Sequence, residues 1–199
     1  MALGLSFTVL AGVGRYWDNP RAYVWQKLGL GSVIYTFVLA AFLWAIIRPL
    51  RPARWSYLNV LVFVTLTAPP ALLYAIPVER LVEYGLAENL NVTFLAIVAI
   101  WRVALLVAFL RRVARLSGMA ILVATALPLA LIVCALTALN LEHVVFDFMA
   151  GNTDPQRPAN MGAYFAVAFI AVISVFAAPI LLAIYASLVR EARRGRPVS

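Results

Sequence analysis

Five apolar stretches, at roughly residues 30–50, 57–78, 91–110, 118–139 and 163–188, constrain this chain more than anything else in it. Each is long enough to cross a hydrocarbon core of about 30 Å, which takes about 20 residues of helix. Inside lipid every backbone N–H and C=O must find a partner within the protein, and single spans achieve that as helices. The expected fold is therefore all-α: a polytopic transmembrane helical bundle of five spans. With 65% apolar and 12% charged residues among 199, the composition lies outside that of soluble domains. Connections are short. The longest, residues 140–162, has no room for a globular domain, so 1–199 reads as a single transmembrane domain working through its helices and their caps. The opening "MALGLSFTVLAGVG" has no basic n-region and is too short to span, which suits an interfacial segment rather than a signal peptide.

Orientation follows from the arginines, because Lys and Arg accumulate on the cytoplasmic side. The first connection carries Arg48, Arg51 and Arg54, the third Arg111, Arg112 and Arg115, and the tail Arg190, Arg193, Arg194 and Arg196, ten basic residues on one side. The opposite connections hold Arg80 and Arg157 beside Glu79, Glu83, Glu88, Glu142, Asp147 and Asp154. The C-terminus is thus expected in the cytoplasm, as in a multi-pass protein of a bacterial inner membrane. Five spans then put the N-terminal segment outside, against the basic Arg15, Arg21 and Lys27. The net charge of +8 faces anionic membrane lipid. Nucleic-acid binding would need an exposed domain, for which there is no room.

One charge lies within the spans. In "FLAIVAIWRVALLVAFLRR", residues 94–112, Arg102 interrupts sixteen positions that lipid accepts. With the outer end of that span near Asn91, Arg102 is about 16 Å along it, close to the midplane. Pro69, Pro70, Pro128 and Pro179 share this layer. A proline inside a helix withholds its N–H from the carbonyl four residues back, here those of Thr65, Leu66, Ala124 and Val175. A guanidinium, five donors and no acceptor, is the complementary object. The first expectation is that Arg102 bonds these carbonyls, helped by Thr65, Thr67 or Thr125, and locks the bundle. Snorkelling over about 16 Å would require water to penetrate. The third reading is functional: no Asp or Glu lies in any span, so the donors are held for an anion, a lipid headgroup or another subunit's carboxylate.

The outer caps hold a second constellation. Glu79 and Glu83 are four apart, as are His143 and Asp147, so each pair would share a face if helical, and Glu142 adjoins the only histidine. His and carboxylate oxygens suit zinc or manganese, although acidic residues on short caps are ordinarily just solvated. Other chemistries lack their residues. One histidine makes no bis-histidine haem, Lys27 is outside the spans, and the lone Cys134 forms neither disulfide nor cluster. The glycines of "LGLGS" and "LAGVGRYW" match no nucleotide pattern and fit close packing or turns. No resident cofactor and no catalytic residue is assigned. "TAPP" and "TALP", at residues 67–70 and 125–128, suggest an internal parallel repeat.

The run "VLVFVTLTAPPALLYAIP", followed by "FLAIVAIWRVALLVAFLRRVARLSGMAILVATALPLALIV", has a helix ending in proline and leucines, a helix with a central Trp, a short basic turn and a helix carrying a proline. Over about residues 28–140 this resembles the bacterial branch of the Yip (Ypt-interacting protein) domain family. The resemblance implies a nonenzymatic integral membrane protein that organises membrane or partner proteins, and brings no catalytic residues. Three functions are carried forward. The first is this organising role, with a homo-oligomer or membrane-protein partner. The second is a small transporter or channel subunit binding an anionic group near Arg102. The third is a metal-assisted membrane enzyme at the outer face.

Overall fold

A computed structural model of the chain describes residues 2–16, 23–141 and 161–194, apart from the side chains at 15, 16, 26, 79, 84, 88 and 161–167; the described residues include no strand. The chain divides into two compact units, Met1–Arg115 and Leu116–Ser199.

The first unit contains α1 (Ala2–Tyr16), the single turn α2 (Val24–Lys27), α3 (Leu30–Ile47) with a 3-10 turn Arg48–Leu50, α4 (Tyr57–Leu66), a 3-10 segment Pro69–Ala75, the single turn α5 (Val78–Leu81) and α6 (Tyr84–Arg112). Local chemistry explains the boundaries. Gly29 stands before α3 at φ 67°, ψ 15°, a left-handed conformation that costs glycine nothing. Ser56 caps α4, its Oγ accepting from Asn59 N at 3.2 Å. That helix ends because Pro69 and Pro70 bring no N–H for the carbonyls of Thr65 and Leu66, so α-type bonding cannot continue past them. The chain continues as a 3-10 segment, with an axis bent 42° from α4.

The N-terminal segment, expected at an interface, is a 15-residue helix of about 22 Å. It packs on α3, on α4 and most extensively on the 3-10 segment. Its stripe of Gly4, Thr8, Ala11 and Gly12 is buried. Small residues at this spacing let backbones approach, a common solution where lipid provides little drive for helix association. A Cβ added at Gly4 would lie 2.7 Å from Thr65 Cβ, and one at Gly14 would lie 2.6 Å from Ala75 Cβ. The two glycine motifs meet each other: a Cβ at Gly12 would fall 2.8 Å from Gly29 Cα. Close packing and turn formation, the roles expected of these glycines, are both realised here.

The second unit pairs α7 (Gly118–Ala138) with α8 (Met161–Arg193). The buried positions are again mostly small: Ala120, Val123, Ala124, Thr125 and Ala130 on α7, and Ala171, Ser174, Ala178 and Ala192 on α8. Pro128 and Pro179 sit inside unbroken helices. "TALP" therefore does not reproduce the break at "TAPP". One proline removes one donor and the helix runs on, whereas two in succession remove two neighbouring donors and the chain passes into 3-10 geometry.

Four helices are long and apolar enough to cross a membrane, and α4 with its 3-10 continuation makes up to five. That fits a multi-pass membrane protein. Two spans are longer than expected: α6 begins at Tyr84 rather than near 91, and α8 extends to Arg193.

Candidate functional site

Along α6, Val98, Leu106 and Leu110 are buried and spaced by four and eight residues, and Arg102 stands in the same row. The sequence thus turns its one intramembrane charge toward the packed side of its helix. Arg102 is half-buried, and its Nε is enclosed with no hydrogen-bond partner. No hydrogen bond or ion pair to any part of its guanidinium is formed among the described residues.

Aromatic contacts establish how α4 meets α6. Phe63 of α4 stacks on Phe109 of α6 with centroids 4.5 Å apart, and Trp55 meets the same ring at 5.8 Å. Nearby, Ala53 N donates to Ala114 O at 2.9 Å. Since 53 meets 114 and 63 meets 109, the two segments run antiparallel. Beyond the Phe63–Phe109 contact α4 ends at Leu66, and the 3-10 segment that follows packs against α6. With α6 starting at Tyr84, Arg102 is about 27 Å from that end and about 15 Å from Arg112. Half a hydrocarbon thickness still separates it from the basic end.

Within the first unit, the carbonyl-locking expectation for Arg102 is not met. Thr65 O, expected to be free, is recaptured by Ala68 N at 3.3 Å as the chain tightens into 3-10 geometry. Pro69 and Pro70 have no N–H, and Ala71 N turns to Ala68 O, so the carbonyls left without a backbone donor are those of Leu66 and Thr67. Neither bonds Arg102. Thr65 Oγ1 donates to Val62 O at 2.8 Å and Thr67 Oγ1 to Val64 O at 2.7 Å, which keeps both hydroxyls on their own turn. Thr65 is moreover covered by Gly4 of α1. Thr125 belongs to the second unit; its Oγ1 is buried without a partner.

At the outer caps, Glu79 and Glu83 do not share a helix face. Glu79 is in α5, which stops at Leu81; Val82 is extended, and Glu83, exposed, is the extended residue that opens α6. Glu142, His143 and Asp147 lie outside the described residues. Among the described residues no group of three His, Cys, Asp or Glu side chains is arranged to hold a metal ion. Cys134 is free and half-buried.

The part α1 plays beside the broken span was missed in the sequence. Its available signal was the spacing of small residues at 4, 8, 11 and 12, which is readable only once the helix is known to face protein rather than lipid. No protein-family model, no curated protein and no solved structure matches the chain.

Proposed function

We propose that this is a nonenzymatic multi-pass membrane protein that takes up an anionic group at Arg102, in the manner of a small transporter or channel subunit. The observation that carries this reading is the half-buried guanidinium whose enclosed Nε has no partner among the described residues. A cation away from both water and counter-charge is costly, so intramembrane arginines pair with something. The candidates within its own unit, the carbonyls of Leu66 and Thr67 and the Thr65 and Thr67 hydroxyls, do not engage it. An incoming anion supplies the missing partner. The break between α4 and the 3-10 segment, which packs against the helix of Arg102, gives the unit a hinge of the kind on which alternate packings of a transporter turn. In the organising role implied by the Yip resemblance, the anion would instead be a carboxylate on a partner's helix.

Oleate is a suitable probe, because its tail brings a carboxylate into the micelle. Purified protein in a neutral detergent should melt at a higher temperature with oleate than with oleyl alcohol, and Arg102→Leu should lose the difference. Equal shifts from the two amphiphiles, or a shift that survives Arg102→Leu, would overturn the reading.

The basic asymmetry supports a bacterial inner-membrane protein with its C-terminus in the cytoplasm. In a Cys134→Ala background expressed in spheroplasts, an impermeant maleimide should label Gly85→Cys and spare Ser56→Cys and Ser117→Cys. Labelling of the Ser117 variant, with Gly85 spared, reverses the orientation.

A further inference from the structure

The end of the first unit opposite Glu83 gathers six arginines. Arg48, Arg51 and Arg54 come from the connection between α3 and α4, and Arg111, Arg112 and Arg115 from the end of α6. The two groups, more than fifty residues apart in sequence, are joined by the Ala53 N to Ala114 O bond, so that Arg54 and Arg115 each adjoin one end of a single hydrogen bond. Beneath them is an aromatic layer. Trp55 Nε1 donates to Trp44 O at 3.1 Å, Tyr57 meets Trp44 edge-on at 6.4 Å, and Trp55 leans on Phe109. Trp and Tyr rings collect at the depth of lipid headgroups, which puts the arginines at or just above it.

Three further features turn this cluster from a general surface charge into a built site. No Asp or Glu occurs between residues 19 and 78 or between 89 and 141, so neither contributing segment brings its own counter-ion. Arg51, Arg54, Arg111, Arg112 and Arg115 are exposed, and their guanidinia form no hydrogen bond or ion pair among the described residues, while Arg48 lies over the Trp44 ring at 4.9 Å. Arg51, Arg54 and Arg115 have φ of 53°, 49° and 53°, and only one other non-glycine described residue, Asn140, has positive φ. Left-handed backbone is a glycine conformation, disfavoured for a residue with a Cβ. Here arginine occupies it three times, in the two turns that the Ala53 N to Ala114 O bond joins.

We propose that these two connections form one cradle for the phosphate of an anionic lipid headgroup, with guanidinia from both gripping the same headgroup. Planar forks suit phosphate oxygens, and a headgroup at the aromatic layer is at the right depth. The proposal is independent of the Arg102 reading, since no residue is shared.

The positive φ values provide the test. Arg51→Gly, Arg54→Gly and Arg115→Gly, combined in the full-length protein, remove three guanidinia while placing at each turn the residue its backbone prefers. In nanodiscs of phosphatidylcholine, adding a minority of phosphatidylglycerol should raise the melting temperature of the parent by several degrees. The glycine variant should fold in phosphatidylcholine and show no such rise. Arg111→Gln with Arg112→Gln, on regular helix, should reduce the rise as a second route to the same conclusion. Neutralising three arginines at the end of α8, as Arg190→Gln, Arg193→Gln and Arg194→Gln, should leave it intact. If the α8 variant loses the rise as fully as the glycine variant, the effect is diffuse surface charge and the cradle is overturned. If inorganic phosphate raises the parent's melting temperature equally in pure phosphatidylcholine, the site takes a soluble anion and the lipid assignment is overturned.

Discussion

Gly29→Val is expected to melt far below the parent protein. Two costs combine at this position. Gly29 has φ 67°, where a β-branched residue is a steric outlier costing roughly 1–2 kcal/mol or more. A Cβ would also stand 2.9 Å from Val9 O and 3.3 Å from Val13 N, both backbone atoms of α1 that cannot rotate aside. Relieving that contact means moving α1, and with it the packing on Thr65 and Ala75. Overpacking of this sort adds roughly 1–3 kcal/mol. Against a total stability of about 5–15 kcal/mol, the sum of roughly 3 kcal/mol or more is large. The measurement is thermal melting and size-exclusion behaviour in detergent, with Gly85→Ala as the control. Gly85 is in the first turn of α6 with nothing within 4 Å of its added Cβ, and alanine there should be neutral or stabilising by up to about 1 kcal/mol. A Gly29→Val protein that melts with the parent would show that α1 does not seat against Gly29.

Arg102→Leu should melt at or above the parent temperature. A charge near the middle of a span disfavours insertion by about 3 kcal/mol on translocon scales, and leucine is mildly favourable there. Arg102 is half-buried rather than lipid-exposed, so a gain of about 1–3 kcal/mol is the reasonable expectation. The sign is the decisive quantity. Were Arg102 holding carbonyls released by prolines, its removal would orphan buried acceptors at about 1–3 kcal/mol each, and the variant would melt lower. Arg102→Lys separates the cases again, since it keeps an unpaired charge and should show no gain. A leucine variant that melts clearly below the parent in the same detergent would restore the structural role and remove the basis for an anion at this site.

Much of the architecture was readable before any coordinates, because long apolar runs leave the chain few options in lipid. The helices α3, α7 and α8 follow from their apolar runs, whereas the second span was expected to run through residues 57–78 and breaks because "TAPP" has two adjacent prolines whose missing N–H groups no neighbour restores. The site was legible in part. Arg102 announces itself as the sole charge in sixteen apolar positions, whereas its distance from the outer end was undercounted, because α6 starts at Tyr84 rather than near Asn91. Its bonding did not follow from a count of donors and acceptors, since that ledger shows which groups are capable of pairing and is silent on which are near each other.

Composition and spacing alone determined the fold class and the basic end, because both depend on hydropathy and charge along the chain. Only tertiary structure decided the rest. It seated α1 against the broken span, returned Thr65 O to Ala68 N, kept the Thr65 and Thr67 hydroxyls on their own turn, and joined residue 53 to residue 114. The physical reason is common to all four. A hydrogen bond or a glycine contact is won or lost within a few tenths of an ångström, and helical periodicity fixes which side of a helix a residue takes but not which neighbour arrives there.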